Sequence, residues 1–416
     1  MIQWNLTEEA IGELVETLDG QEWAKAKMDA MSVLKAQNQE MTDDAIVQLA
    51  LNAKLDGIFA DGVKKFSLVP MTKPKIDIKK ITADSITVGL MFAIKPEVKL
   101  GDIRGIRYKV ADVEVTDADM EDGIRVYRES KAQMVDKNGP AELGDTVVID
   151  YVGTMDGKEF EYGSEEDAVI LLGSNMFIPG FENEIVGKCA GTELEFPVTF
   201  PEDYGVEDLN GKDVVFKVTV KKVQKQVIPE VNDDFVKTLK IEGVVNVEDF
   251  KSHVRKTVAK AMRLRNEQEA ENKLMDDLLA VTEVNVPGPI VETEVGTMVQ
   301  KMNADLASQG ATLVSYLEMK GQTPEEFIKS LWPSAERNVK VSLALEEVAA
   351  ANKLYPSNSE IEAEYKVMAM RYQMDVAKVK QAVPADQLSY QVLLNKALDY
   401  LKNLGKKRPG GPILFG

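Results

Sequence analysis

Apolar residues recur at steps of three and four over most of the first 66 residues, a spacing typical of amphipathic helices. The spacing predicts helices in AIGELVETL, in EWAKAKMDAMSVLKAQ and over residues 42–66. The period then changes to two in PKIDIKKI and SITVGLMFAI, which predicts the two strands of a hairpin. Thr116, with the acidic Asp119 three positions on, resembles an N-terminal helix cap and predicts a helix over residues 117–134.

Residues 140–222 keep a period of two and are rich in Val, Ile and Phe, as strands are. Strands are predicted in DTVVIDYVG, DAVILLG, ELEFPVTF and VVFKVTVKKV, and a short helix in PGFENEIVG. After Pro229 the helical spacing returns and continues to Leu404, with breaks at Pro287 and at the helix start Thr323-Pro324. The last eleven residues, KKRPGGPILFG, are predicted to be disordered.

These patterns predict an α+β multidomain protein. It comprises a small α/β N-terminal domain, an antiparallel β-sheet domain with one short helix, and an all-α C-terminal domain. The predicted division places the N-terminal domain at residues 1–110, a linker helix at 111–139, the sheet domain at 140–223, the helical domain at 224–405 and the tail at 406–416.

The composition excludes several classes of protein. The chain has 416 residues, 44% of them hydrophobic and 29% charged, which is typical of a globular protein with several domains. No apolar stretch approaches the ~20 residues of a membrane span. The N-terminus lacks the basic start and apolar run of a secretory signal, so a cytoplasmic location is expected.

The sequence contains few residues for chemistry that depends on histidine or cysteine. Cys189 and His253 are the only residues of their types, which excludes an intramolecular disulfide and a Cys/His zinc site within one chain. His253 lies on a predicted amphipathic helix without a nucleophile nearby, and a surface histidine is the better interpretation. Glycine-rich nucleotide-binding loops are absent from the sequence. We therefore expect neither a metal nor a cofactor.

The negative charge is concentrated in the middle of the chain. The formal net charge is −19, and residues 140–222 carry 18 acidic and 6 basic residues. Such a segment repels phosphate groups, so we expect no direct binding of nucleic acid there.

The segment from Gly144 to Val223 resembles the FKBP-type prolyl isomerase fold. The resemblance rests on GDTVVIDYVGTMDGKEF, on LLGSNMFIPGFENEIVG, on the strand with Gly191, Glu193 and Phe196, and on FPEDYG, which follow one another in the family's order. It implies a pocket flanked by Ala168 and Ile170 and formed by Tyr151, Phe160, Glu161, Phe177, Ile178, Phe181, Tyr204 and Phe216.

Two pocket positions depart from that family's usual pattern. Glu161 stands where Asp is common, and Phe181 stands where a Trp forms the pocket floor, although Phe is usual there in the trigger-factor branch.

An aromatic pocket suits X–Pro isomerisation. Amide resonance causes the rotational barrier of ~18–20 kcal/mol, and the planar amide is more charge-separated than the twisted one. Apolar walls therefore favour the twisted form relative to the ground state. A backbone N–H, which we assign to Ile178, would hold the carbonyl before the proline.

The flanking segments resemble those of trigger factors, chaperones that carry an FKBP-type domain. VPGPIVETEVGTMVQKM and SAERNVKVSLALEEVAAANKL resemble the helices of the family's substrate cradle, and KLDGIFADGVKKFSLVPMTKPKIDI the end of its N-terminal domain. The resemblance implies an ATP-independent chaperone and prolyl isomerase that binds unfolded or nascent, proline-containing polypeptides. A holdase or assembly chaperone without significant isomerase activity is the alternative, and a structural adaptor is a third interpretation.

One segment departs from the trigger factors. Their ribosome-docking loop reads roughly GFRKGKxP, whereas residues 36–44 here read AQNQEMTDD. The first fifty residues hold 3 Lys and 10 acidic residues, and the first arginine is Arg104. Because docking on the ribosome depends on cations that meet RNA phosphate, we expect docking through this loop to be weak or lost.

Overall fold

The protein divides into two compact units. The computed structural model describes residues 2–202, 204–205 and 209–406, apart from the side chain of Glu161. One unit contains the residues up to 111 together with those from 267 onward, and the other contains residues 112–266. Both helices and sheets are present, which confirms the predicted α+β class. The predicted disordered tail, from residue 407 onward, lies outside the described residues.

The first unit combines an antiparallel sheet of order β1-β2-β4-β3 with helices. Its N-terminal elements are β1 (Gln3–Glu8), β2 (Ile11–Asp19), α1 (Gly20–Ala36), α2 (Asp43–Lys65), β3 (Lys75–Ile81), β4 (Ser85–Ala93) and β5 (Val98–Leu100). Residues 37–42, where the basic loop of trigger factors would lie, connect α1 to α2.

The second unit contains a five-stranded antiparallel sheet and helices. Its elements are α3 (Asp117–Glu129), β6 (Gln133–Asp136), β7 (Thr146–Met155), β8 (Lys158–Leu171), α4 (Phe181–Ile185), β9 (Glu193–Thr199), β10 (Asp213–Val227), α5 (Asp233–Leu239) and the start of α6 (Val247–Ala280). The strands run in the order β6-β10-β7-β8, and β9 also pairs with β10. These elements confirm the strands and the short helix predicted for residues 140–222.

Helices return after the sheet of the second unit, as predicted. The end of α6 and the remaining elements belong to the first unit, and they are β11 (Thr282–Val284), α7 (Gly288–Ser308), α8 (Leu313–Lys320), α9 (Pro324–Ala351), α10 (Asn358–Tyr372), α11 (Val376–Ala382) and α12 (Ala385–Lys406). Thr323 and Glu326 form a reciprocal capping box at the start of α9. The prolines at 287 and 289 mark the start of α7, as the sequence predicted.

The helix predicted in AIGELVETL is wrong, because this segment forms strand β2. Its nine residues pair with β4, from Ile11 opposite Ala93 to Asp19 opposite Ser85. Leu14 and Leu18 are buried in the core of the sheet and helices. A spacing of four residues satisfies both the helical period and twice the strand period, so the apolar pattern alone does not distinguish the two structures.

The helix predicted over residues 117–134 is shorter than expected. The capping box of Thr116 and Asp119 is present, but the helix ends at Glu129. Gln133–Asp136 instead forms β6 and pairs antiparallel with residues 224–227 of β10. The helix therefore covers only part of the predicted linker, residues 111–139. Residues 133–136 of that range are not helical, because their backbone pairs with β10.

The strand assignment of β2 leads to a stability prediction. Leu14 is 0% exposed and Leu6, on the neighbouring strand, is 61% exposed. We expect Leu14→Ala to lower the free energy of unfolding by about 2–5 kcal/mol, because it leaves a cavity in the core. Leu6→Ala is the matched control, with an expected change within about 0.5 kcal/mol. Urea denaturation followed by tryptophan fluorescence measures both, and equal effects would contradict the assignment.

Candidate functional site

A cavity of about 1070 Å³ opens in the sheet domain of the second unit. Aromatic and aliphatic side chains form most of its wall. The lining residues are Tyr151, Met155, Phe160, Tyr162, Gly163, Asn175, Met176, Phe177, Ile178, Pro179, Phe200, Tyr204, Leu209 and Phe216. Concave apolar sites of this kind are typical of binding sites for small ligands and short peptide segments.

Phe181 supports the wall from below. Its side chain is 0% exposed, at the start of the short helix α4. Its ring stacks on that of Phe177, with ring centroids 4.7 Å apart, and meets the ring of Phe216 edge-on at 5.0 Å. Tyr151 and Phe196 also contact it edge-on, at 5.9 and 5.4 Å. Edge-on and stacked contacts between rings add to the stabilisation from burial, so Phe181 fixes the rings above it.

Two glycines on β7 and β8 make room for Phe160. A Cβ atom at Gly153 would lie 2.7 Å from ring atoms of both Phe160 and Phe216. A Cβ atom at Gly163 would lie 2.8 Å from the Phe160 ring. Glycine inside a strand often marks such a close approach. The glycines thus let the Phe160 ring lie edge-on to Phe216 and Phe200, at 6.2 and 6.0 Å.

Tyr151 brings a hydroxyl group to the cavity. The hydroxyl donates a hydrogen bond to Oε2 of Glu165, at 3.3 Å. Burial, followed by the nearby carboxylate of Glu165, raises the pKa of Tyr151 above its usual value. The phenol therefore stays protonated at neutral pH and acts as a hydrogen-bond donor.

The segment from Gly173 to Ile178 forms one side of the cavity and is held by a buried carboxylate. Oε2 of Glu182 accepts from the backbone N–H groups of Gly173 (2.6 Å) and Asn175 (3.3 Å). Its Oε1 accepts from the backbone N–H groups of Met176 (3.0 Å) and Phe177 (3.4 Å) and from the Ser174 hydroxyl (3.2 Å). Five donors thus converge on one side chain.

The backbone N–H of Ile178 makes no hydrogen bond to any of residues 2–202, 204–205 and 209–406. The Ile178 carbonyl, by contrast, accepts from the N–H of Phe181 at 3.1 Å. The donor therefore lies in a segment that lines the cavity, without a partner among the described residues.

Most of the residues predicted for the site come together. The cavity wall includes Tyr151, Phe160, Phe177, Ile178, Tyr204 and Phe216. Phe181 lies beneath the wall, and Ala168 and Ile170 are buried in the core of the same domain. Tyr204 is 46% exposed and lies against Phe200, with ring centroids 4.5 Å apart. Glu161 belongs to β8, but its side chain lies outside the described part of the chain.

Sequence reasoning missed several residues of the site. Phe200 was part of the quoted FPEDYG motif but was not assigned to the pocket. Tyr162 and Asn175 also line the cavity. Their backbones have positive φ angles of 63° and 55°, and the sequence pattern reveals neither these turns nor the direction of the side chains. Glu182 was missed because an acidic residue on a short helix normally faces solvent, whereas this one is 6% exposed. The isolated glycines inside β7 and β8 were the available signal for the close packing of Phe160.

The histidine and the cysteine lie apart from the cavity lining. His253 Nε2 is 3.2 Å from the Tyr127 hydroxyl, and Cys189 is exposed. Among the described residues, no group of three or more His, Cys, Asp or Glu side chains is arranged to bind a metal ion. The cavity wall offers mostly apolar surface, together with three tyrosines (Tyr151, Tyr162 and Tyr204), Asn175 and the Ile178 backbone N–H.

The sheet, the short helix and the aromatic cavity define an FKBP-type peptidyl-prolyl isomerase domain. Residues 137–221 match the family described as FKBP-type peptidyl-prolyl cis-trans isomerase. The flanking parts match a second family. Residues 30–127 match the bacterial trigger factor protein, and residues 246–403 match the C-terminus of that protein.

Relatives that align with most of the chain are also trigger factors. The chain is 35% identical to the trigger factor of Shouchella clausii over 370 residues, which cover 88% of this chain and 85% of the relative. It is 35% identical to the trigger factor of Bacillus subtilis over 86% of this chain and 85% of that one. It is 36% identical to the trigger factor of Streptococcus pneumoniae serotype 2, over 88% of this chain and 86% of that one.

The chain therefore belongs to the trigger factor family. It is a peptidyl-prolyl cis-trans isomerase and a molecular chaperone, and proteins of this family act on nascent or unfolded polypeptides. None of the helices in the described part of the chain has the length and apolar character needed to cross a membrane.

The close approach at Gly153 leads to a prediction about activity. We expect Gly153→Ala to lower the isomerase kcat/KM about fivefold or more, because the new methyl group displaces the rings of Phe160 and Phe216. A protease-coupled assay with a proline tetrapeptide measures this effect. Gly139→Ala is the control, since no atom lies within 4 Å of a Cβ placed there. Unchanged activity in Gly153→Ala would show that Phe160 does not need its observed position.

Proposed function

We propose that X–Pro isomerisation takes place in the aromatic cavity of residues 140–223. Its catalytic surface would consist of Tyr151, Phe160, Phe177, Ile178, Tyr204 and Phe216, with Phe181 as the support beneath them. Glu161 is retained from the family resemblance, and its side chain lies outside the described part of the chain. The observation that carries this proposal is the convergence of six of these residues on one cavity of about 1070 Å³.

The proposed mechanism uses the environment of the bound amide. In the cavity the prolyl ring contacts the aromatic wall, and the N–H of Ile178 donates to the carbonyl oxygen of the preceding residue. Apolar walls solvate the charge-separated planar amide less well than water does, whereas the twisted amide loses less by leaving water. The barrier falls because the two states differ in their interaction with the cavity, and no acid, base or nucleophile is required.

We further propose that exposed apolar side chains on the C-terminal helices hold unfolded clients. Of the seven methionines after residue 270, four are buried or half-buried (Met275, Met298, Met302 and Met368) and three are exposed (Met319, Met370 and Met374). Met370 and Tyr372 near the end of α10 are 75% and 60% exposed. Flexible thioethers adapt to irregular apolar partners, which suits varied clients with proline-containing segments.

A refolding assay tests the isomerase proposal. We expect the wild-type chain to accelerate proline-limited refolding of a client, and Phe177→Ala to lower this acceleration about tenfold, because Phe177 forms part of the wall. Phe177 is half-buried, so its removal should cost only about 1–2 kcal/mol of stability. Retained acceleration in Phe177→Ala would contradict the assignment, and a wild-type chain without acceleration would favour the holdase alternative.

The variant Phe181→Ala tests whether Phe181 supports the cavity wall from beneath, in contrast to Phe177, which forms part of the wall. Because Phe181 is fully buried, its loss should lower the free energy of unfolding of the domain by about 3–5 kcal/mol as well as the activity. Denaturant unfolding of both variants therefore accompanies the refolding assay. A small stability change in Phe181→Ala would contradict its position beneath the wall.

We also propose that the segment joining α1 and α2 does not dock the protein on ribosomes. Residues 36–44 contain three carboxylates, Glu40, Asp43 and Asp44, and no basic residue. Carboxylates repel the RNA phosphates that a basic loop would attract. This proposal concerns only that route of binding.

A ribosome-pelleting experiment at low salt tests this proposal. We expect the wild-type chain to stay mostly in the supernatant, and the double variant Gln37→Arg, Glu40→Lys to sediment more, because it changes the charge of the segment by three. The exchange Gln37→Asn, Glu40→Gln controls for loss of the native side chains without adding a cation. Stoichiometric co-sedimentation of the wild-type chain that is lost in the variant Gln37→Asn, Glu40→Gln would contradict the proposal.

A further inference from the structure

Among the described residues of the acidic sheet domain, two carboxylates are buried, Asp145 (3% exposed) and Glu182. Asp145 pairs with Lys137, whereas Glu182 is held mainly by backbone N–H groups. Glu182 is 6% exposed, and its two oxygen atoms accept the five hydrogen bonds described above, all from the segment Gly173–Phe177. Phe181, the support of the cavity, immediately precedes Glu182 on α4. One short helix thus contacts the cavity wall by packing at one residue and by hydrogen bonds at the next.

Apart from its hydrogen bonds to Glu182, the segment is held at its two ends, where the Ser174 N–H donates to the Leu171 carbonyl at 3.1 Å and the Phe177 ring stacks on Phe181. A second cavity, of about 290 Å³, lies beside the segment and is lined in part by Gly173, Asn175, Phe177 and Glu182. Gly173 has a φ of 90° and Asn175 a φ of 55°, so the backbone turns through the left-handed region. Glycine adopts this region freely and asparagine tolerates it, so the turn is permitted but is not fixed by its own backbone preferences. In the middle of the segment, beside the second cavity, the hydrogen bonds of Asn175 and Met176 to Glu182 fix it.

We propose that Glu182 is a positioning residue for X–Pro isomerisation: its carboxylate fixes the segment Gly173–Phe177 and thereby places the Phe177 ring and the Ile178 N–H at the cavity. The proposal rests on the proposed function of the cavity. Glu182 does not contact the client itself. It acts through the residues on either side of the turn, and the cavity wall loses its shape when the carboxylate is replaced.

The site requires a carboxylate in particular. An ionised carboxylate only accepts hydrogen bonds, and it offers about four acceptor positions on two oxygens. A glutamine has the same shape, but its NH₂ group would face either the donors Gly173 and Asn175 or the donors Ser174, Met176 and Phe177. Two N–H groups that point at each other repel, so at least two hydrogen bonds are lost whichever way the amide turns.

The carboxylate is ionised at neutral pH. Burial alone would raise the pKa of Glu182, but the backbone N–H groups of Gly173, Phe177 and Asn175 and the Ser174 hydroxyl together hold it below its usual value. Glu184, on the same helix, is exposed. Glu142 and Asp145 flank Leu143, which lines the second cavity together with Glu182, and they pair with Lys137 at 2.9 and 2.6 Å. The hydrogen bonds of Glu182 are therefore charge-assisted.

Two measurements on the full-length chain test the proposal. We expect Glu182→Gln to lower the isomerase kcat/KM about tenfold or more, because a small displacement of the wall misplaces the client amide. We also expect amide hydrogen exchange in the segment 173–177 to become about tenfold faster or more, because the amides lose their acceptor. Exchange is measured by mass spectrometry without a client, so it does not depend on the proposed function.

Glu184→Gln is the matched control, since it removes the exposed carboxylate two residues along the same helix. It should leave kcat/KM and the exchange rates within about twofold of wild type. Wild-type exchange rates in Glu182→Gln, or a kcat/KM within about twofold of wild type, would overturn the proposal. If the wild-type chain shows no isomerase activity, the proposed function fails, whereas faster exchange in Glu182→Gln would still support the structural part of the inference.

A second variant covers the case in which Glu182→Gln does not fold. Ser174→Ala removes one donor to Glu182 Oε1 and an acceptor of the Met176 N–H, at 3.2 and 3.3 Å, without removing a buried apolar group. We expect a loss in kcat/KM of about threefold and faster exchange at Met176. Unchanged values of both in a folded Ser174→Ala protein would overturn the proposal.

Discussion

The packing of aromatic rings around Phe181 is the interaction on which the cavity depends. A domain that keeps a hollow of about 1070 Å³ forgoes the contacts that would otherwise fill it. The rings of Tyr151, Phe177 and Phe216 face that hollow on one side, so their positions must be fixed from the other side. Phe181 does this because it touches all three rings and is itself wholly buried.

Packing fixes the rings, but it does not fix the backbone turn that carries two of the wall residues. The turn before α4 is packed through the Phe177 ring at its end, but the second cavity lies beside Gly173 and Asn175, where there is less packing. Hydrogen bonds to Glu182 hold the turn there, and they are strong because the acceptor is charged and buried. The site is therefore apolar where the client amide would bind and charged one layer behind it. This order follows from the chemistry, since a charge in the wall itself would solvate the planar amide and work against its rotation.

The sequence predicted the sheet domain well because its signals are local. Alternating Val, Ile and Phe residues and turns at Gly and Asp indicated β7, β9 and β10, and the resemblance placed six wall residues on one cavity. The errors arose where a distant partner decides the structure. AIGELVETL forms a strand because nine residues of β4 pair with it, and Gln133–Asp136 because β10 does. The role of Glu182 also depends on a tertiary turn, and neither its residue type nor its spacing distinguishes it from Glu184.

The packing of the aromatic cavity and the proposed loss of ribosome docking through residues 36–44 depend on forces of different range, so one can change without the other. The aromatic cavity is shaped by contacts of a few ångströms, in which the rings of Tyr151, Phe160, Phe177 and Phe216 are each held by another ring. Attraction to a ribosome through the segment 36–44 would depend on charge, which acts over about 8 Å at physiological salt and needs no packing partner. Exposed residues such as Glu40 can therefore change sign without any effect on the core. Because the two forces differ in range, one chain can keep its aromatic cavity and still have an acidic segment between α1 and α2.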